Sequence, residues 1–300
     1  MWRRAAVLAA FSWLLAFPLV AQREVTRRIL RLASHRVDVV SLEEYVAAVL
    51  PGEIGGGAPT AALEAQAVAA RSYGVARLGR HEDEGADLCD GTHCQVYRGR
   101  MASTETSRRA AQATAGMVLV QDGRVIAAPF HAVCGGRTTR PADVWDDEET
   151  PDLVAVDDEA CLGSQGSVWT YHLKRTQLAA LGERIGFPEA KFLEIYGRNA
   201  DGRVTAVRLA APGGRFRVLR GFDFRKEASA LFGWDSVRST AFELFETRST
   251  YVLAGRGTGH GAGLCQHGAI ARARRGETRN QILSLYYNGA KLMRLSEVLP

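Results

Sequence analysis

A single glutamate, Glu53, stands in a short stretch whose other residues constrain the backbone. Between residues 51 and 59 the chain has two prolines and four glycines, and these residue types favour turns. We therefore expect a shaped loop that presents one carboxylate. A carboxylate that is partly desolvated beside the negative end of a helix has a raised pKa and can act as a general acid. The spacing alone is also compatible with a solvated acid of no special function.

A first helix should deliver Glu53 to this loop. Ser41 followed by Glu44 matches a capping box, which favours a helix start. Pro51 disfavours helical geometry at the residue before it, so the helix is predicted over residues 42–49. This places the glutamate just beyond a helix end.

A second helix is predicted after the loop, with Thr60 as its cap and an end near residue 78. Gln66 and Tyr73 are seven residues apart on this helix and therefore share one face. Arg71 is predicted to point toward the loop. These three side chains are the candidate ligand-binding residues of the second helix.

A glycine-rich segment near the other end of the chain is the second candidate for the site. Five glycines lie in the nine residues 255–263, and glycine lets the backbone approach a ligand closely. His260 lies within this segment, and Gln266 at the start of a following helix offers an amide for hydrogen bonding. The G-K-[ST] ending of a phosphate loop is absent. His131 is either a further cleft residue or a structural residue at a strand end.

The chain has five cysteines, at positions 89, 94, 134, 161 and 265. Cys89, His93 and Cys94 have a spacing close to that of metal ligands, but no fourth ligand is adjacent in sequence. One interpretation is two disulfides, Cys89–Cys94 and Cys134–Cys161, with the last cysteine free. A second is a zinc ion held by the first three residues, with water or Cys134 in the remaining position. Unpaired thiols are the third interpretation, and the sequence leaves all three open.

Composition is typical of an ordinary globular protein. The 300 residues are 46% apolar and 24% charged, which is enough for one large or two modest domains. The net charge of +5 and the pI near 9.1 are compatible with an anionic partner. Because the basic residues are spread along the chain and no nucleic-acid-binding motif is present, we expect no nucleic-acid partner.

The N-terminal 21 residues have two arginines, then an apolar run, then Ala21 as a cleavage position. This pattern is typical of a secretory signal peptide and predicts an exported protein of the periplasm or cell wall. The alternative is an uncleaved membrane anchor, since the apolar run approaches spanning length.

The rest of the chain is predicted to be α+β. Residues 22–164 and 251–300 are predicted to form a core of mixed sheet and helices, interrupted by a smaller α+β subdomain over 165–250. An Asp-Gly pair at 122–123, between two apolar runs, predicts a hairpin. The acidic stretch 145–161 has no calcium-loop pattern and is predicted to be a solvated surface loop.

Six sequence blocks, taken in chain order, point to a known family. They are YVAAVLPGE, ALEAQAVAARSY, CDGTHCQVYRG, ATAGMVLV, CGGRTTRPADVW and GRGTGHGAGLCQHGA. Together they resemble the SpoIID/LytB family of sporulation and cell-wall proteins, over roughly residues 41–161 and 251–290. The resemblance implies a SpoIID-like core fold, with Glu53 as the catalytic acid/base, and His260 and Gln266 match the family's GHGxGxxQ motif. Some members of the family bind zinc near the block with the first two cysteines, which raises the weight of a structural zinc and leaves the disulfide interpretation open.

The activity implied by this resemblance is that of a peptidoglycan lytic transglycosylase acting on glycan strands stripped of stem peptides. A conventional glycosidase needs two carboxylates, whereas this reaction needs one, which protonates the glycosidic oxygen and later accepts the proton of the muramyl C6 hydroxyl. No cofactor is required. The alternatives are a non-catalytic glycan-binding protein that stimulates a cell-wall amidase and, as a third class, a zinc hydrolase. The residues predicted to line the glycan cleft are Gln66, Arg71, Tyr73, His260 and Gln266.

Overall fold

The structure, a computed structural model, describes residues 25–145, 151–164 and 166–298. The fold is α+β, as predicted, and its buried apolar side chains form two clusters. The larger cluster combines residues 29–161 with residues 264–295. The smaller cluster lies within residues 169–253. The predicted signal peptide lies outside the described residues.

Eight α-helices occur within the described residues. They are α1 (Leu42–Glu53), α2 (Thr60–Ala76), α3 (Glu105–Ala113), α4 (Arg175–Arg184), α5 (Gly221–Phe232), α6 (Gln266–Arg274), α7 (Arg279–Tyr286) and α8 (Leu295–Val298). None of them is long and apolar enough to cross a membrane.

The strands of the described chain are short. They are β1 (Thr26–Arg31), β2 (Arg36–Ser41), β3 (Leu88–Cys89), β4 (Met117–Gln121), β5 (Arg124–Val125), β6 (Phe130–His131), β7 (Val168–Lys174), β8 (Phe192–Arg198), β9 (Val204–Ala210), β10 (Phe216–Arg220), β11 (Phe242–Glu246), β12 (Thr250–Arg256), β13 (Leu264–Cys265) and β14 (Lys291–Arg294). They pair in the orders β2-β1-β3, β14-β4-β5, β13-β6, β10-β9-β8 and β11-β12-β7. The pairing of β14 with β4 and of β13 with β6 joins distant parts of the chain.

The N-terminus of α1 is formed by the predicted capping box. The Ser41 Oγ accepts the Glu44 N–H at 3.3 Å, and the Glu44 carboxylate accepts the Ser41 N–H at 3.1 Å. In α2, by contrast, Thr60 is the first helical residue and not the cap. Pro59 holds the cap position without a side-chain hydrogen bond, and the helix ends at Ala76, two residues earlier than predicted.

The end of α1 differs from the prediction in a way that matters for the site. The helix does not stop before Pro51 but continues to Glu53. A proline in a helix removes its own N–H donor, but the N–H groups of Ile54 and Gly55 still bond to the Leu50 carbonyl at 3.0 and 3.2 Å. The last turn therefore closes, and the glutamate belongs to a helix end and not to a loop.

The predicted hairpin is confirmed. β4 pairs antiparallel with β5, and the connecting Asp122 and Gly123 have φ angles of 50° and 76°. Positive φ at both central residues is what a type I′ turn requires.

The acidic stretch is only in part the solvated loop that was predicted. Its residues 146–150 lie outside the described residues, but Asp158 is fully buried. Its carboxylate pairs with Arg272 at 3.1 Å and accepts the Tyr286 hydroxyl at 2.6 Å. A carboxylate with two such partners can be buried at acceptable cost.

Candidate functional site

Glu53, the last residue of α1, is held against the segment that follows β3. Its Oε1 accepts the Val96 N–H at 2.7 Å, and the side chain is half-buried. The approach is close because residue 52 is glycine. A Cβ on Gly52 would lie only 2.7 Å from the Val96 carbonyl oxygen.

The segment that binds Glu53 is itself fixed by the preceding residue, Gln95. The Tyr45 hydroxyl of α1 donates to the Gln95 Oε1 at 3.2 Å, and the Gln95 Nε2 donates to the Ala70 carbonyl of α2 at 3.3 Å. Both side chains are almost fully buried. Both helices therefore hydrogen-bond to Gln95, which fixes the position of the next residue, Val96, whose N–H orients the Glu53 carboxylate.

Burial raises the pKa of Glu53 above its ordinary value. Two hydrogen-bond donors, the Val96 N–H and the Gln266 amide, oppose this shift by stabilising the charged form. Among the described residues no second carboxylate contributes to it. A carboxyl group that keeps its proton to higher pH can serve as a general acid, and the direction of the shift agrees with the prediction.

The two predicted glutamines occupy different environments. Gln266, the first residue of α6, lies close enough to Glu53 to stabilise its charged form. Its Nε2 is buried and has no hydrogen-bond partner of normal geometry within the described part of the chain. Gln66 is fully buried in α2, and neither of its amide atoms has a partner among the described residues. The structure thus brings Gln266 to the glutamate, whereas Gln66 does not line an open cleft.

Arg71 is a structural residue, and its predicted place in the cleft is wrong. Its side chain is fully buried, and its Nε and Nη2 donate to the two carboxylate oxygens of Glu43 at 2.9 and 2.5 Å. Further donors bond to the carbonyls of Met117 and Ala111, each at 3.1 Å. Because these partners belong to α1, α3 and β4, Arg71 ties those elements to α2.

Tyr73 lies against the cysteine-containing segment. Its hydroxyl accepts from the Arg80 Nη1 at 3.0 Å and donates to the His93 carbonyl at 3.4 Å. Burial raises the pKa of Tyr73, so the phenol is neutral and both of its contacts are to protein.

His260 shapes the glycine-rich segment. Its Nδ1 accepts the Ala262 N–H at 3.1 Å, which leaves Nε2 protonated to donate to the Phe130 carbonyl at 2.7 Å. Burial lowers the pKa of His260, and its ring packs on Trp145 with a centroid distance of 4.8 Å. Since the backbone engages both nitrogens, the structure gives His260 a positioning role in place of the predicted ligand contact.

His131 lies next to His260, with ring centroids 5.4 Å apart. Its Nδ1 donates to the Ala262 carbonyl at 3.0 Å, and its Nε2 has no partner among the described residues. Burial lowers the pKa of His131 to about 3. The ring is therefore neutral and holds one unused acceptor inside the protein.

The structure supplies the fourth member of the predicted metal-ligand group. His81, shortly after α2, brings its Nε2 to 3.1 Å from the His93 Nδ1. The sulfurs of Cys89 and Cys94 lie 3.9 and 3.7 Å from the same nitrogen. All four donor atoms lie within 4.8 Å of one another. We refer to these four residues as the Cys2His2 cluster.

The Cys2His2 cluster fits a tetrahedral zinc ion. Bonds of about 2.3 Å to sulfur and about 2.0 Å to nitrogen place sulfur and nitrogen ligands about 3.6 Å apart and two nitrogens about 3.3 Å apart. The His81 Nδ1 lies 3.5 Å from the Glu84 carboxylate, the kind of outer partner that orients a metal-bound histidine. Burial raises the pKa of Cys94 to about 12, so a bound cation is what would hold it as a thiolate. Four protein ligands are typical of a structural zinc site and not of a catalytic one.

The structure contains neither of the two disulfides of the first interpretation. All five cysteines lie within the described residues, and all are unpaired and buried. Cys89 and Cys94 belong to the Cys2His2 cluster. Cys134 and Cys161 meet Cys265 in a second buried group.

Sequence reasoning missed three residues of this region. His81 lies eight positions before Cys89, too far to be seen as an adjacent ligand, although a wider search for histidine would have found it. Gln95 looks like an ordinary polar residue of a loop. Val96 acts through its backbone N–H, which has no signature in the sequence.

A groove of about 660 Å³ lies on the sheet of β7, β11 and β12, lined in part by Trp169, Phe242 and Arg256. None of the predicted site residues lines it. The groove and the glutamate are therefore separate features of the described chain.

Fold and site together define an α+β protein with one half-buried carboxylate at a helix end. This carboxylate accepts a backbone N–H that lies two residues after the last ligand of the Cys2His2 cluster, and a glutamine amide lies near it. Residues 33–121 match the family model SpoIID, described as a stage II sporulation protein. The chain is 29% identical to an uncharacterized protein of Brachyspira hyodysenteriae, covering 87% of this chain and 69% of that protein.

Two relatives with descriptive names come from Bacillus subtilis. The chain is 27% identical to stage II sporulation protein D, covering 88% of this chain and 78% of the relative. It is 26% identical to the amidase enhancer, covering 81% of this chain but only 39% of that longer protein. The family model and these relatives support the predicted resemblance to the SpoIID/LytB family.

Proposed function

We propose that this protein is a peptidoglycan lytic transglycosylase. Its substrate is a glycan strand stripped of stem peptides, in which it cleaves the β-1,4 bond between MurNAc and GlcNAc and leaves a 1,6-anhydro-MurNAc end. The observation that supports this most directly is the half-buried Glu53, whose pKa is raised by burial and whose orientation is fixed by the Val96 N–H.

The reaction requires one group that first gives and then takes a proton. In the first step the protonated Glu53 donates to the glycosidic oxygen, and the bond from MurNAc C1 to that oxygen breaks. In the second step the carboxylate accepts the proton of the C6 hydroxyl while O6 bonds to C1. Water does not take part, so no second carboxylate is needed to activate it.

The surrounding residues support each protonation state in turn. Burial favours the acid form, which is needed at the start. The Val96 N–H and the Gln266 amide favour the charged form produced by the first transfer. The Nε2 of Gln266 is buried and has no hydrogen-bond partner within the described residues, so it is free to donate to the carboxylate once that group is charged.

Zinc in the Cys2His2 cluster would have a structural role in this proposal. Cys94 is two residues before Val96, so a metal ion that fixes the thiolate also fixes the donor to Glu53. The proposal requires the active site to be outside the cytoplasm, and the pattern of residues 1–21 supports export.

The test compares Glu53→Gln with the wild type on purified, peptide-free glycan. The amide keeps the size of the side chain and an oxygen that can accept the Val96 N–H, but it has no acidic proton. We expect anhydro-muramyl products from the wild type and a fall of at least about 10²-fold in the variant. Glu105→Gln, an exposed position on α3, is the matched control and should retain activity. Products that contain a reducing MurNAc end would contradict the mechanism, because they require water.

The name of one relative supports a second candidate function. The amidase enhancer of Bacillus subtilis shares 26% identity with this chain, and an enhancer of this kind would bind glycan and stimulate a cell-wall amidase without cutting the strand. If wild type and Glu53→Gln bind glycan equally and neither yields anhydro ends, this second function is favoured. Stimulation of a purified amidase by both proteins would then support it.

A further inference from the structure

Three thiols from distant parts of the chain meet in the protein interior. Cys134 follows β6, Cys161 ends a short 3₁₀ turn, and Cys265 ends β13 and caps α6. Asp158 reaches the same point, and all four residues are at most 1% exposed. Their donor atoms all lie within 4.8 Å of one another. We refer to these four residues as the Cys3Asp cluster.

The distances within the Cys3Asp cluster are those of shared ligands and not of a disulfide. The sulfurs of Cys161 and Cys265 are 3.4 Å apart, whereas a disulfide bond is about 2.0 Å long. Two thiolates on one tetrahedral zinc ion lie about 3.8 Å apart. The Cys134 sulfur is also 3.4 Å from the Asp158 Oδ2. A disulfide would use two of the three sulfurs and would leave the third thiol and the Asp158 carboxylate in contact with it, with no shared ligand.

The surroundings of the Cys3Asp cluster orient its ligands. The Cys265 sulfur accepts the N–H groups of Cys134 at 3.2 Å and Gly268 at 3.3 Å. The Asp158 carboxylate accepts the Tyr286 hydroxyl at 2.6 Å. Residue 268 must be glycine, because a Cβ there would lie 2.0 Å from the Asp158 Oδ2. Such outer hydrogen bonds accompany metal ligands and fix their direction.

Charge balance favours a bound dication. Arg272 pairs with Asp158 at 3.1 Å. Arg203, which is only 3% exposed, donates its Nη2 to the Cys134 carbonyl at 2.9 Å. The two guanidinium groups and one dication together balance three thiolates and one carboxylate. Without the dication the three cysteines would be neutral thiols, because uncompensated negative charge in the interior is costly.

We propose that Cys134, Cys161, Cys265 and Asp158 form a second buried zinc site, of the structural four-ligand type. Sulfur-rich tetrahedral sites are typical of zinc. Cys265 directly precedes Gln266, and Cys134 lies three residues after His131, so the metal fixes the glutamine side of the candidate site. The Cys2His2 cluster fixes the glutamate side through Cys94.

The experiment counts metal ions in the purified full-length chain, independently of glycan cleavage. Zinc is measured by elemental analysis and native mass spectrometry, and we expect two zinc ions per chain. Cys161→Ser should remove one equivalent and leave the other. His81→Ala, in the Cys2His2 cluster, is the matched control and should remove the other equivalent alone.

Two results would overturn the proposal. One is an unchanged zinc content in a folded Cys161→Ser variant. The other is a wild-type intact mass, measured without reductant, that is lower by two hydrogens and rises on reduction, with peptide mapping that places the disulfide between two of Cys134, Cys161 and Cys265.

A measurement on the wild type covers the case in which Cys161→Ser does not fold. Cadmium-113 bound in place of zinc gives a chemical shift that depends on the number of sulfur ligands. Two signals, one from a three-sulfur and one from a two-sulfur site, support the proposal. A single two-sulfur signal overturns it, whatever the outcome of the glycan assays.

Discussion

Because Gly52 lies so close to Val96, one added methyl group at Gly52 tests the hydrogen bond between the Val96 N–H and Glu53. In Gly52→Ala the new Cβ would lie 2.7 Å from the Val96 carbonyl oxygen and 2.9 Å from the Val96 Cγ1. Ordinary contacts begin at 3.4 Å. The Val96 backbone must therefore move away by about 0.7 Å, and its N–H is the donor that orients the carboxylate.

The expected effects on stability and activity differ in size. Overpacking costs about 1–3 kcal/mol, but alanine in place of glycine within a helix returns about 1 kcal/mol. The net loss of stability is then at most about 2 kcal/mol, or a fall in Tm of about 4–8 °C for a chain of more than 150 residues. A catalytic group misplaced by about 1 Å loses about 10²-fold in rate, so we expect glycan cleavage to fall about ten- to a hundredfold.

The assay follows anhydro-muramyl products from peptide-free glycan, together with thermal unfolding of the same preparation. Gly57→Ala is the matched control, because a Cβ at that position meets nothing within 4 Å. It should retain both activity and stability. If Gly52→Ala cleaves glycan at the wild-type rate while Glu53→Gln does not, the contact with Val96 does not position the acid and our reasoning about the site is refuted.

The remaining predictions concern the carboxylate, the Cys2His2 cluster and the buried arginine. Because the pKa of Glu53 is raised in the folded state, the wild type loses stability as pH rises from the unfolded toward the folded pKa. Glu53→Gln removes this dependence, so the variant should be more stable than the wild type at neutral pH but not at acidic pH. If urea unfolding gives the two proteins the same dependence of unfolding free energy on pH, the argument that burial raises the pKa of Glu53 is contradicted. His81→Ala should lower both the zinc content and the Tm. If the variant and the wild type have the same Tm after a chelator has removed the metal from both, the fall in Tm is caused by loss of the metal. Arg71→Met should destabilise the protein by about 3 kcal/mol, the low end for breaking a buried ion pair, because the Glu43 side chain is 40% exposed. Arg109→Met, on the exposed face of α3, should change the unfolding free energy by no more than about 0.5 kcal/mol.

Features determined by neighbouring residues were predictable from the sequence. The Ser41–Glu44 capping box and the Asp122–Gly123 turn each depend on residues at most three apart, and both formed as expected. The end of α1 was not predicted, because a proline in the last turn is tolerated once later N–H groups close that turn. A local rule disfavours helix at that position, and the surrounding structure overrides it.

The site was predictable only as far as side-chain chemistry determines it. Glu53 and Gln266 could be named from their residue types, their neighbours and the family resemblance, and the fold brings them together. Arg71 is of a type that binds anionic or polar ligands as readily as it pairs with a glutamate of the same protein, and only the tertiary packing against Glu43 decides between the two. The fourth member of the Cys2His2 cluster comes from a turn whose position depends on the pairing of β1 with β3.

The division of the apolar side chains into two clusters has a consequence for the order in which the chain can fold. α2 and β4 complete their packing with α6, α7 and β14, which are synthesised after residues 169–253. During synthesis the first half of the chain must therefore keep apolar faces exposed while residues 169–253 assemble a cluster of their own. Such a half-finished intermediate is prone to aggregation, so a chaperone that shields α2 and β4 would be of most use to the nascent chain before residue 260 has emerged.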